Sequence, residues 1–306
     1  MNRRKKKLKF NSDFVFVATV YFIIIFVMIV TLYPLLYVIS ASISDPQAVA
    51  SGKMMLFPIG TTLDGYKNLM KYKDIWTGYG NTLFYTIVGT LINLVVTLPA
   101  AFALSRKDMK YRGIIMGLFV FTMYFNGGLM PSYLNVKSFN LLNTRTFILI
   151  NGAVSVYNLI VARSFFQSAI PWELQEAAQI DGASKTKVFL QIVMPLAKSI
   201  VAVMTLYYGV ARWNSYFTEM IYLDDRAKWP LQLFLKEILL RGEMAASSLM
   251  NGDLDAASIQ SLMKQSDTAN QMKYGVIVVS SLPMMILYPI LQKFFNKGVM
   301  IGSIKG

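Results

Sequence analysis

The sequence predicts an all-α polytopic membrane protein with six transmembrane helices, and three observations carry that prediction. Apolar residue types make up 55% of the 306 residues, and the mean hydropathy is +0.47. Charged residues make up only 15%, where soluble domains have about 25%. The charges are spaced so that long uncharged intervals lie between them. A soluble protein of this length could not bury so much apolar surface, so lipid must solvate part of the chain.

Five uncharged intervals are long and apolar enough to cross a bilayer, which takes about 20 residues. The first is densest in apolar residues at 14–39 and follows a basic N-terminal segment, residues 1–13. A cleaved signal peptide is the alternative for this interval, but its apolar stretch is about twice the usual length of a signal's apolar region. The other intervals are 82–104 and those bracketed by Arg112 and Lys137, by Arg145 and Arg163, and by Lys273 and Lys293.

One more span, the fifth in chain order, is predicted at Ser199–Tyr222 and brings the total to six, although this segment carries Arg212 and Glu219. Both charges lie toward one end of the segment, and a spacing of seven would place them on one face of a continuous helix. Charged side chains inside a membrane indicate a functional role by default. A structural ion pair with a partner chain is the alternative.

The third interval is interrupted by Asn126-Gly127-Gly128 and then by Pro131. Glycine and proline inside a span can mark a break whose backbone lines a cavity. A kink, or the outer end of the helix, explains the same residues. Both interpretations therefore stand at the level of the sequence.

The distribution of basic residues predicts the orientation, because six spans place both termini on one side of the membrane. Lys and Arg are about twice as dense in the segments on that side, 1–13, 105–112, 163–198 and 293–306, as in the segments opposite. The positive-inside rule therefore predicts cytoplasmic termini. The same rule explains the basic run at residues 3–7 and the net charge of +14, so neither indicates a nucleic-acid partner.

Composition also excludes several kinds of chemistry. The chain has no Cys and no His, so it cannot form a disulfide, bind a metal through thiolate or imidazole, or use the commonest general base. No paired carboxylates lie inside the spans and no Walker A pattern occurs. The sequence therefore predicts no catalytic residue and no metal site. An ion-coupled secondary transporter would favour acidic residues inside the spans, where only Glu219 lies.

Residues 171–195 are predicted to form a helix–turn–helix at the cytoplasmic membrane surface. Pro171 suits the first turn of a helix, and Gly182 allows the positive φ that often ends one. A second helix with an apolar side follows from about Ala183 and ends at Pro195. The residues alone leave two interpretations open: a knob that docks on another protein, and an amphipathic helix that lies in the membrane interface.

Within this segment, Glu176-Ala177-Ala178 followed by Asp181-Gly182-Ala183 resembles the EAA motif of the permease subunits of bacterial ABC importers. The resemblance extends from about Asn81 to Gly306. One departure is Ser199, where many members of the family have a second proline, and this makes the start of the fifth span less kinked.

Four further segments narrow the resemblance to oligosaccharide permeases related to the smaller permease of the maltose importer. They are FNGGLMPSYL (125–134), VSVYNLIVARSFF (154–166), WNSYF (213–217) and DRAKWPLQLFLKEILL (225–240). Among these permeases the chain is most similar to the LplC and YtcP group.

The resemblance implies the architecture of a type I ABC importer permease. An importer transmembrane domain would occupy residues 82–295, with a cytoplasmic EAA loop at 163–198 and an external loop at 223–273. Another external loop would occupy 40–81, and a cytoplasmic tail 296–306. Such a chain is a non-catalytic subunit in the bacterial plasma membrane that moves oligosaccharides at the expense of ATP hydrolysed elsewhere. The alternative cargo is a peptide or amino acid, and the alternative class is an ion-coupled secondary sugar transporter.

The resemblance also implies the partners and the residues that meet them. The partners are a second permease subunit (a heterodimer), two ATPase subunits that hold ATP and Mg, an extracellular solute-binding protein on the loop at 223–273, an oligosaccharide and the lipid bilayer, and this chain itself binds no cofactor. The implied ATPase-coupling residues are Glu176, Ala177, Ala178, Asp181, Gly182 and Ala183. The tail residues that would reach into the ATPase dimer are Ser303, Ile304, Lys305 and Gly306.

Polar and aromatic residues in three spans form a candidate substrate path. Sugars are recognised by stacking on aromatic rings and by hydrogen bonds from hydroxyl groups to amide and charged side chains. An aromatic belt at the membrane interface and interhelical hydrogen bonds are the alternative explanation. The candidates are Tyr124, Asn126, Asn151, Tyr157, Asn158, Tyr208, Arg212, Trp213, Asn214 and Tyr216.

Overall fold

The computed structural model describes residues 12–251 and 255–302, and every regular element in those ranges is helical. Contacts divide the chain into two compact units. The first comprises the chain up to Lys71 together with Ile238–Val279, and the second comprises Tyr72–Glu237 together with the chain from Ser280.

In the first half of the chain, two long apolar helices are separated and followed by shorter ones. They are α1 (Ser12–Ser42), α2 (Pro46–Ala50), α3 (Asp64–Lys71), α4 (Lys73–Ser105), α5 (Arg112–Tyr124), α6 (Leu129–Ser138), α7 (Arg145–Ile150) and α8 (Val156–Ala169). The second half follows with α9 (Trp172–Ile180), α10 (Lys185–Lys187), a π-helix (Val188–Val193), α11 (Met194–Leu196), α12 (Lys198–Trp213), α13 (Phe217–Tyr222), a 3₁₀ turn (Arg226–Lys228), α14 (Leu231–Asn251) and α15 (Ala256–Gly302).

Three described helices are long and apolar enough to cross a membrane: Phe14–Ser42, Lys73–Ser105 and Met272–Ile290. Two bent pairs raise the number to five if each pair is one span. The first pair is α5 with α6, bent by 113°, and the second runs from Lys185 to Trp213 with a bend of 84° after Leu196. The interval predicted as the fourth span holds two separate helices, α7 and α8, so six spans stay a prediction.

The break between α5 and α6 falls at the glycines that the sequence singled out. Gly128 has φ +84° and ψ 175°, a backbone conformation that is essentially restricted to glycine. The side-chain oxygen of Asn126 accepts a hydrogen bond from the Gly128 N–H at 3.0 Å and partly replaces the interrupted helical ladder. The helix is therefore broken here, and the two halves turn sharply away from each other.

The fifth predicted span, Ser199–Tyr222, is also broken. Helix α12 ends at Trp213, Tyr216 lies in a non-helical conformation (φ −146°, ψ −29°), and α13 begins at Phe217. The prediction that Arg212 and Glu219 share one face of a continuous helix is therefore wrong, because helical periodicity does not carry across the break.

The core of the second unit forms where α4 packs against α8 and α12. Leu159, Ala162 and Met204 are fully buried there, with Phe102 and Phe166 packed edge to face. Helix α4 turns small and polar residues toward its neighbours, which lets helices approach closely in a membrane. These residues are Gly78, Thr82, Thr86, Gly89, Thr90, Asn93 and Thr97.

In the first unit, α1 is apolar around its whole circumference. Every side chain from Phe14 to Leu36 is exposed in the isolated chain. Helix α3 is joined to the end of α1 by a hydrogen bond of 2.8 Å, which the hydroxyl of Tyr66 donates to the hydroxyl of Ser42. Tyr37 and Tyr274 also meet edge to face, with ring centroids 6.0 Å apart.

Candidate functional site

Helix α9 carries the motif residues and lies where the sequence predicts it. Pro171 precedes the helix with a φ of −58°, the value its ring favours. Gln175 and Ala178 face inward and are buried, whereas Leu174 and Ile180 are exposed, Ile180 to 87%. The helix therefore has one face that packs on its own chain, and it carries apolar side chains that the described residues leave uncovered.

The end of α9 is built by a hydrogen-bonded turn around Gly182, as the sequence predicts. Gly182 has a φ of +80°. Its N–H donates to the carbonyl of Gln179 at 3.0 Å, and the N–H of Ala183 donates to the carbonyl of Ala178 at 2.9 Å. This pair of bonds is a Schellman motif, which stops a helix abruptly and satisfies its last carbonyls.

The motif residues divide between the two faces of this short helix. Glu176 and Ala177 are exposed, and so are Asp181 and Gly182. Ala178 is buried, and Ala183 is partly buried against the same core. The carboxylate of Glu176 accepts a hydrogen bond from the indole N–H of Trp172. The exposed residues therefore form a small surface that is partly apolar and partly acidic.

The second helix of the predicted helix–turn–helix is present but irregular. Its middle is the π-helix Val188–Val193, in which both end residues are fully buried. The ring of Phe189 lies 5.1 Å from the ring of Phe102 on α4. The helix ends at Leu196, one residue after Pro195, where the chain bends into α12. The π-turn shifts the helical register in a segment that bends directly afterwards, and such turns often mark functional positions.

A buried arginine, missed by the sequence analysis, holds α9 against the end of α4. Arg106 follows the last residue of α4 and is only 4% exposed. Its Nη1 donates to the side-chain oxygen of Gln175 at 3.1 Å, and its Nη2 donates to that of Gln179 at 3.3 Å. Its guanidinium also lies 5.2 Å from the centre of the Trp172 ring. Three residues of α9 thus contact the side chain of Arg106, which directly follows α4.

Asp108 completes this cluster. It accepts from Nε of Arg106 at 2.8 Å and from Nη2 at 2.9 Å, and it accepts from Nζ of Lys185 at 2.9 Å. The guanidinium of Arg106 holds the pKa of the Asp108 carboxyl well below its usual value, against the smaller opposing effect of burial, and Lys185 lowers the pKa further. The only sequence signal for this cluster is a basic residue directly after a long apolar helix, where the helix dipole favours a cation.

The second candidate site is an open cleft of about 770 Å³ beside α12. Five of the ten residues predicted for the substrate path line it: Asn151, Tyr157, Asn158, Tyr208 and Arg212. Eight further residues line the cleft: Gly152, Ser155, Leu206, Tyr207, Val210, Ala211, Ser215 and Tyr288. The cleft therefore combines four tyrosines with hydroxyl and amide groups, the side-chain types that bind sugars.

Arg212 forms part of the cleft wall, and its hydrogen-bond donors point into the protein. Nη1 donates to the carbonyl of Ile148 at 2.6 Å, and Nη2 donates to the carbonyls of Leu149 and Asn151, both at 3.0 Å. These carbonyls end α7, so the cation lies at the negative end of a helix. A Cβ at Gly89 would lie 3.0 Å from Nε of Arg212, so glycine at that position makes room for the guanidinium.

The other five predicted path residues do not line this cleft. Trp213 is fully buried, and its indole N–H donates to the carbonyl of Ser280 at 2.8 Å. Asn214 donates to the carbonyl of Val210 in its own helix. Three more lie apart from the cleft: Tyr124 at the end of α5, Asn126 in the following break, and Tyr216 beneath the ammonium group of Lys236.

Glu219 is buried and accepts a hydrogen bond from the hydroxyl of Ser215 at 2.8 Å. Among the described residues, no ion pair joins it to Arg212. The ranges 12–251 and 255–302 also hold no group of three or more acidic side chains that could bind a metal ion.

The segment after α13 is fixed to α4 by many polar contacts. Arg226 forms ion pairs with Asp74 at 2.7 Å and Glu237 at 2.9 Å. The amide of Asn81 donates to the carbonyls of Ala227 and Trp229 at 2.8 and 2.9 Å. This start of the predicted external loop is therefore a rigid surface, and helices α14 and α15 occupy most of the loop's length. The predicted tail residues Ser303, Ile304, Lys305 and Gly306, and residues 1–11, lie outside the described residues.

Comparison with known proteins gives consistent similarities over nearly the whole chain. A model of the family described as binding-protein-dependent transport system inner membrane component matches residues 75–224. Protein LplC of Bacillus subtilis (strain 168) is 37% identical over 277 residues, 90% of this chain and 90% of LplC. The polygalacturonan/rhamnogalacturonan transport system permease protein YtcP of the same organism is 37% identical over 285 residues, 93% of this chain and 96% of YtcP.

A solved structure shares the fold. A chain in the crystal structure of a bacterial ABC transporter involved in the import of the acidic polysaccharide alginate superposes with a TM-score of 0.81 and 32% sequence identity. The superposition covers 95% of this chain and 100% of that chain. The similarity therefore includes both α9 and the helices around the cleft.

Proposed function

Because the chain belongs to the family of binding-protein-dependent transport system inner membrane components, we propose that it is the transmembrane permease subunit of an ATP-driven ABC importer for oligosaccharides. It has the helical permease fold of such importers and is a transport component, not a catalytic one. The observation that carries the proposal is helix α9, which presents exposed Glu176, Ala177 and Ile180 beside a bundle of apolar helices.

Helix α9 is the coupling helix in this proposal. It would sit in a cleft of a separate ATPase subunit, where Glu176 would pair with a basic residue. Asp181, Gly182 and Ala183 would form the turn that keeps the helix short and rigid. Ala177 has a small side chain that permits close approach by the partner, and the exposed Ile180 supplies apolar contact area.

Six spans would form from the described helices if each broken pair crosses the bilayer once. The spans would be α1, α4, α5 with α6, α7 with α8, the segment from α10 to α13, and the apolar part of α15. Basic residues would then place both termini in the cytoplasm, with the EAA loop at 163–198 on the same side and the loops at 40–81 and 223–273 outside. The chain would be a multi-pass protein of the bacterial plasma membrane.

The partners follow from this arrangement. One six-span chain encloses half of a pore, so a second permease, in a heterodimer, would supply the other half. Two ATPase subunits, which hold ATP and Mg, would bind the coupling helices and the C-terminal tail at 296–306. An extracellular solute-binding protein would deliver the sugar to the outer surface, where Arg226 fixes the start of the loop at 223–273.

The transport cycle then has a mechanical basis. Closure of the ATPase dimer on ATP moves the two coupling helices, and each helix passes that movement to the spans that hold it. The cleft beside α12 would open to the outside, and its tyrosines, Asn158 and Asn151 would line part of the path taken by the oligosaccharide. This chain supplies binding surface and movement, and the ATPase supplies the chemistry.

Purification and reconstitution test the proposal. A tag on this chain should co-purify an ATPase, a second permease and a solute-binding protein. In proteoliposomes, the complex should take up labelled oligosaccharides only with ATP. The oligosaccharides tested should include matched acidic and neutral sugars. Uptake that persists without ATP and stops when ion gradients are dissipated would show an ion-coupled transporter instead. Uptake of peptides and not of sugars would reject the oligosaccharide substrate.

A further inference from the structure

We propose that Arg106 and Asp108 are positioning residues that tie the coupling helix α9 to transmembrane helix α4, so that a displacement of α9 reaches the wall of the Arg212 cleft through α4. This inference rests on the function proposed above. It adds a specific route between the ATPase-facing helix and the cleft.

The attachment begins with the guanidinium of Arg106. Four of the five N–H groups of Arg106 are used, two by Asp108 and one each by Gln175 and Gln179. A planar fork that meets a carboxylate and two amides at once holds α9 in one orientation, which a lysine cannot do. A buried ion pair often adds little net stability, which is consistent with a role for Arg106 in fixing the orientation of α9.

A second attachment lies on the other side of the Gly182 turn. Asp108 accepts from Lys185, which begins α10, while Arg106 contacts α9 before the turn. The end of α4 therefore holds both arms of the helix–turn–helix. Two attachments that flank a turn resist rotation of the turn, whereas one attachment would leave it free to pivot.

Apolar packing alone would fix α9 less firmly. The buried apolar contact that α9 contributes to the core is the single methyl group of Ala178, since Leu174 and Ile180 are exposed. Apolar contacts are not directional, and packed helices can slide past one another by small shear movements. Directional hydrogen bonds at Arg106 and Asp108 oppose that sliding.

Helix α4 connects this cluster to the cleft. Thirteen residues, or about 20 Å of helix, separate Arg106 from Asn93. The amide of Asn93 donates to the carbonyls of Gly152 and Ala153, both at 2.8 Å. The Thr97 and Tyr208 hydroxyls lie 2.7 Å apart. A movement of α4 along its axis would therefore shift the backbone and a tyrosine that line the cleft.

The experiment measures oligosaccharide taken up per ATP hydrolysed by the complete complex in proteoliposomes. D108N and R106K should lower this ratio about fivefold or more, while the ATPase still co-purifies. K185Q should lower it less, about twofold, because Lys185 is largely exposed and holds only one arm. K187Q is the matched control, since Lys187 is exposed on the same short helix and should leave the ratio unchanged.

A cross-link separates positioning from a general loss of structure. The chain has no cysteine, so a D108C/K185C double variant carries two thiols of its own. The uncross-linked variant should behave like D108N. A short bifunctional thiol reagent, added after assembly, should restore most of the ratio, and the same reagent should not change the parent chain.

Two results would overturn the inference. One is a D108N complex that assembles fully and takes up as much oligosaccharide per ATP as the parental complex. If R106K does not assemble, D108N alone is the test. The other is a cross-linked D108C/K185C complex that stays uncoupled. Failure of the proposed function would look different, because the parental complex itself would then show no ATP-dependent uptake.

Discussion

The Nε of Arg212 donates a hydrogen bond to the side-chain oxygen of Asn93 over 3.2 Å. The amide of Asn93 donates in turn to the carbonyls of Gly152 and Ala153. Arg212 bonds the carbonyls at the end of α7. Two polar side chains from α4 and α12 thus satisfy the backbone that the break between α7 and α8 leaves without helical partners, and this backbone forms one wall of the cleft.

Replacing Asn93 with leucine should destabilise the protein. The change removes hydrogen bonds to two carbonyls and to Arg212 inside the bundle, a cost on the order of 3 kcal/mol. The melting temperature of the detergent-solubilised protein should fall by several degrees. N214L is the matched control, because Asn214 is exposed and, among the described residues, its side chain bonds only to Val210 of its own helix. Equal melting temperatures for N93L and N214L would show that the Asn93 bonds contribute nothing.

Tyr157 should contribute to sugar binding in the cleft. It lies at the cleft wall with 56% of its surface exposed, and loss of a stacking ring typically costs about 0.5–1.5 kcal/mol. Y157A should therefore raise the KM for uptake by up to about tenfold with little change in assembly. Y124A removes a more exposed tyrosine outside the cleft and should leave KM unchanged. The assignment of the cleft fails if Y124A and Y157A raise KM equally.

The left-handed turn at Gly182 should be intolerant of any side chain. Alanine at a φ of +80° costs about 1–2 kcal/mol and strains the turn that ends α9. G182A should lower uptake about tenfold, and G182P should abolish it, while the complex still reaches the membrane. G113A is the control, because a Cβ at Gly113 meets nothing within 4 Å and its φ is not positive. Normal uptake by G182P would remove the turn from the coupling mechanism.

Charge reversal at Glu176 tests the proposed contact with an ATPase subunit. E176K should abolish uptake and weaken co-purification of the ATPase, because the exposed carboxylate would be replaced by a cation facing a basic partner. E173K reverses a charge on the same helix, at another exposed position, and should retain most of the uptake. If E176K and E173K lower uptake equally, the effect comes from the net charge of α9 and not from a specific contact of Glu176.

The Asp108 cluster should make coupling insensitive to pH over the physiological range. Arg106 and Lys185 lower the pKa of Asp108, so its favourable contribution is fully present above the unfolded pKa of about 3.9 and is lost only as pH falls through the lower folded value. The ratio of parental to D108N uptake should therefore stay constant from about pH 5.5 to about pH 8. A ratio that declines toward pH 5.5 would mean that the carboxyl protonates in this range.

Local signals in the sequence were enough to predict α9 and its turn. Pro171 and Gly182 act on their own backbone, so their effects can be read without knowing the fold. The Arg106 cluster could not be predicted in this way, because Arg106 and Gln175 are 69 positions apart and meet only when α4 and α9 pack. Only half of the predicted substrate-path residues line the cleft, for a similar reason. The type of a residue indicates that its side chain prefers a polar environment, but it does not indicate which polar site of the fold that side chain reaches.

The breaks in the helices explain the remaining differences. The length of an uncharged interval indicates whether a segment is long enough to cross a bilayer. It does not indicate where a helix within that segment ends. The segment around Asn151 has no charge and reads as part of one span, yet its backbone leaves the helical conformation. Arg212, which lies on α12, donates a hydrogen bond to the carbonyl of Asn151 and so replaces a bond that the broken helix lacks. No pattern within either segment reveals this contact.

Helix α1 has a consequence for how the protein is made. It is apolar on all sides from Phe14 to Leu36, and its regular backbone satisfies its own hydrogen bonds. Such a segment is stable in lipid by itself. The ribosome could therefore deliver it to the bilayer before the interrupted helices that follow α4 have emerged, which would tether the nascent chain early.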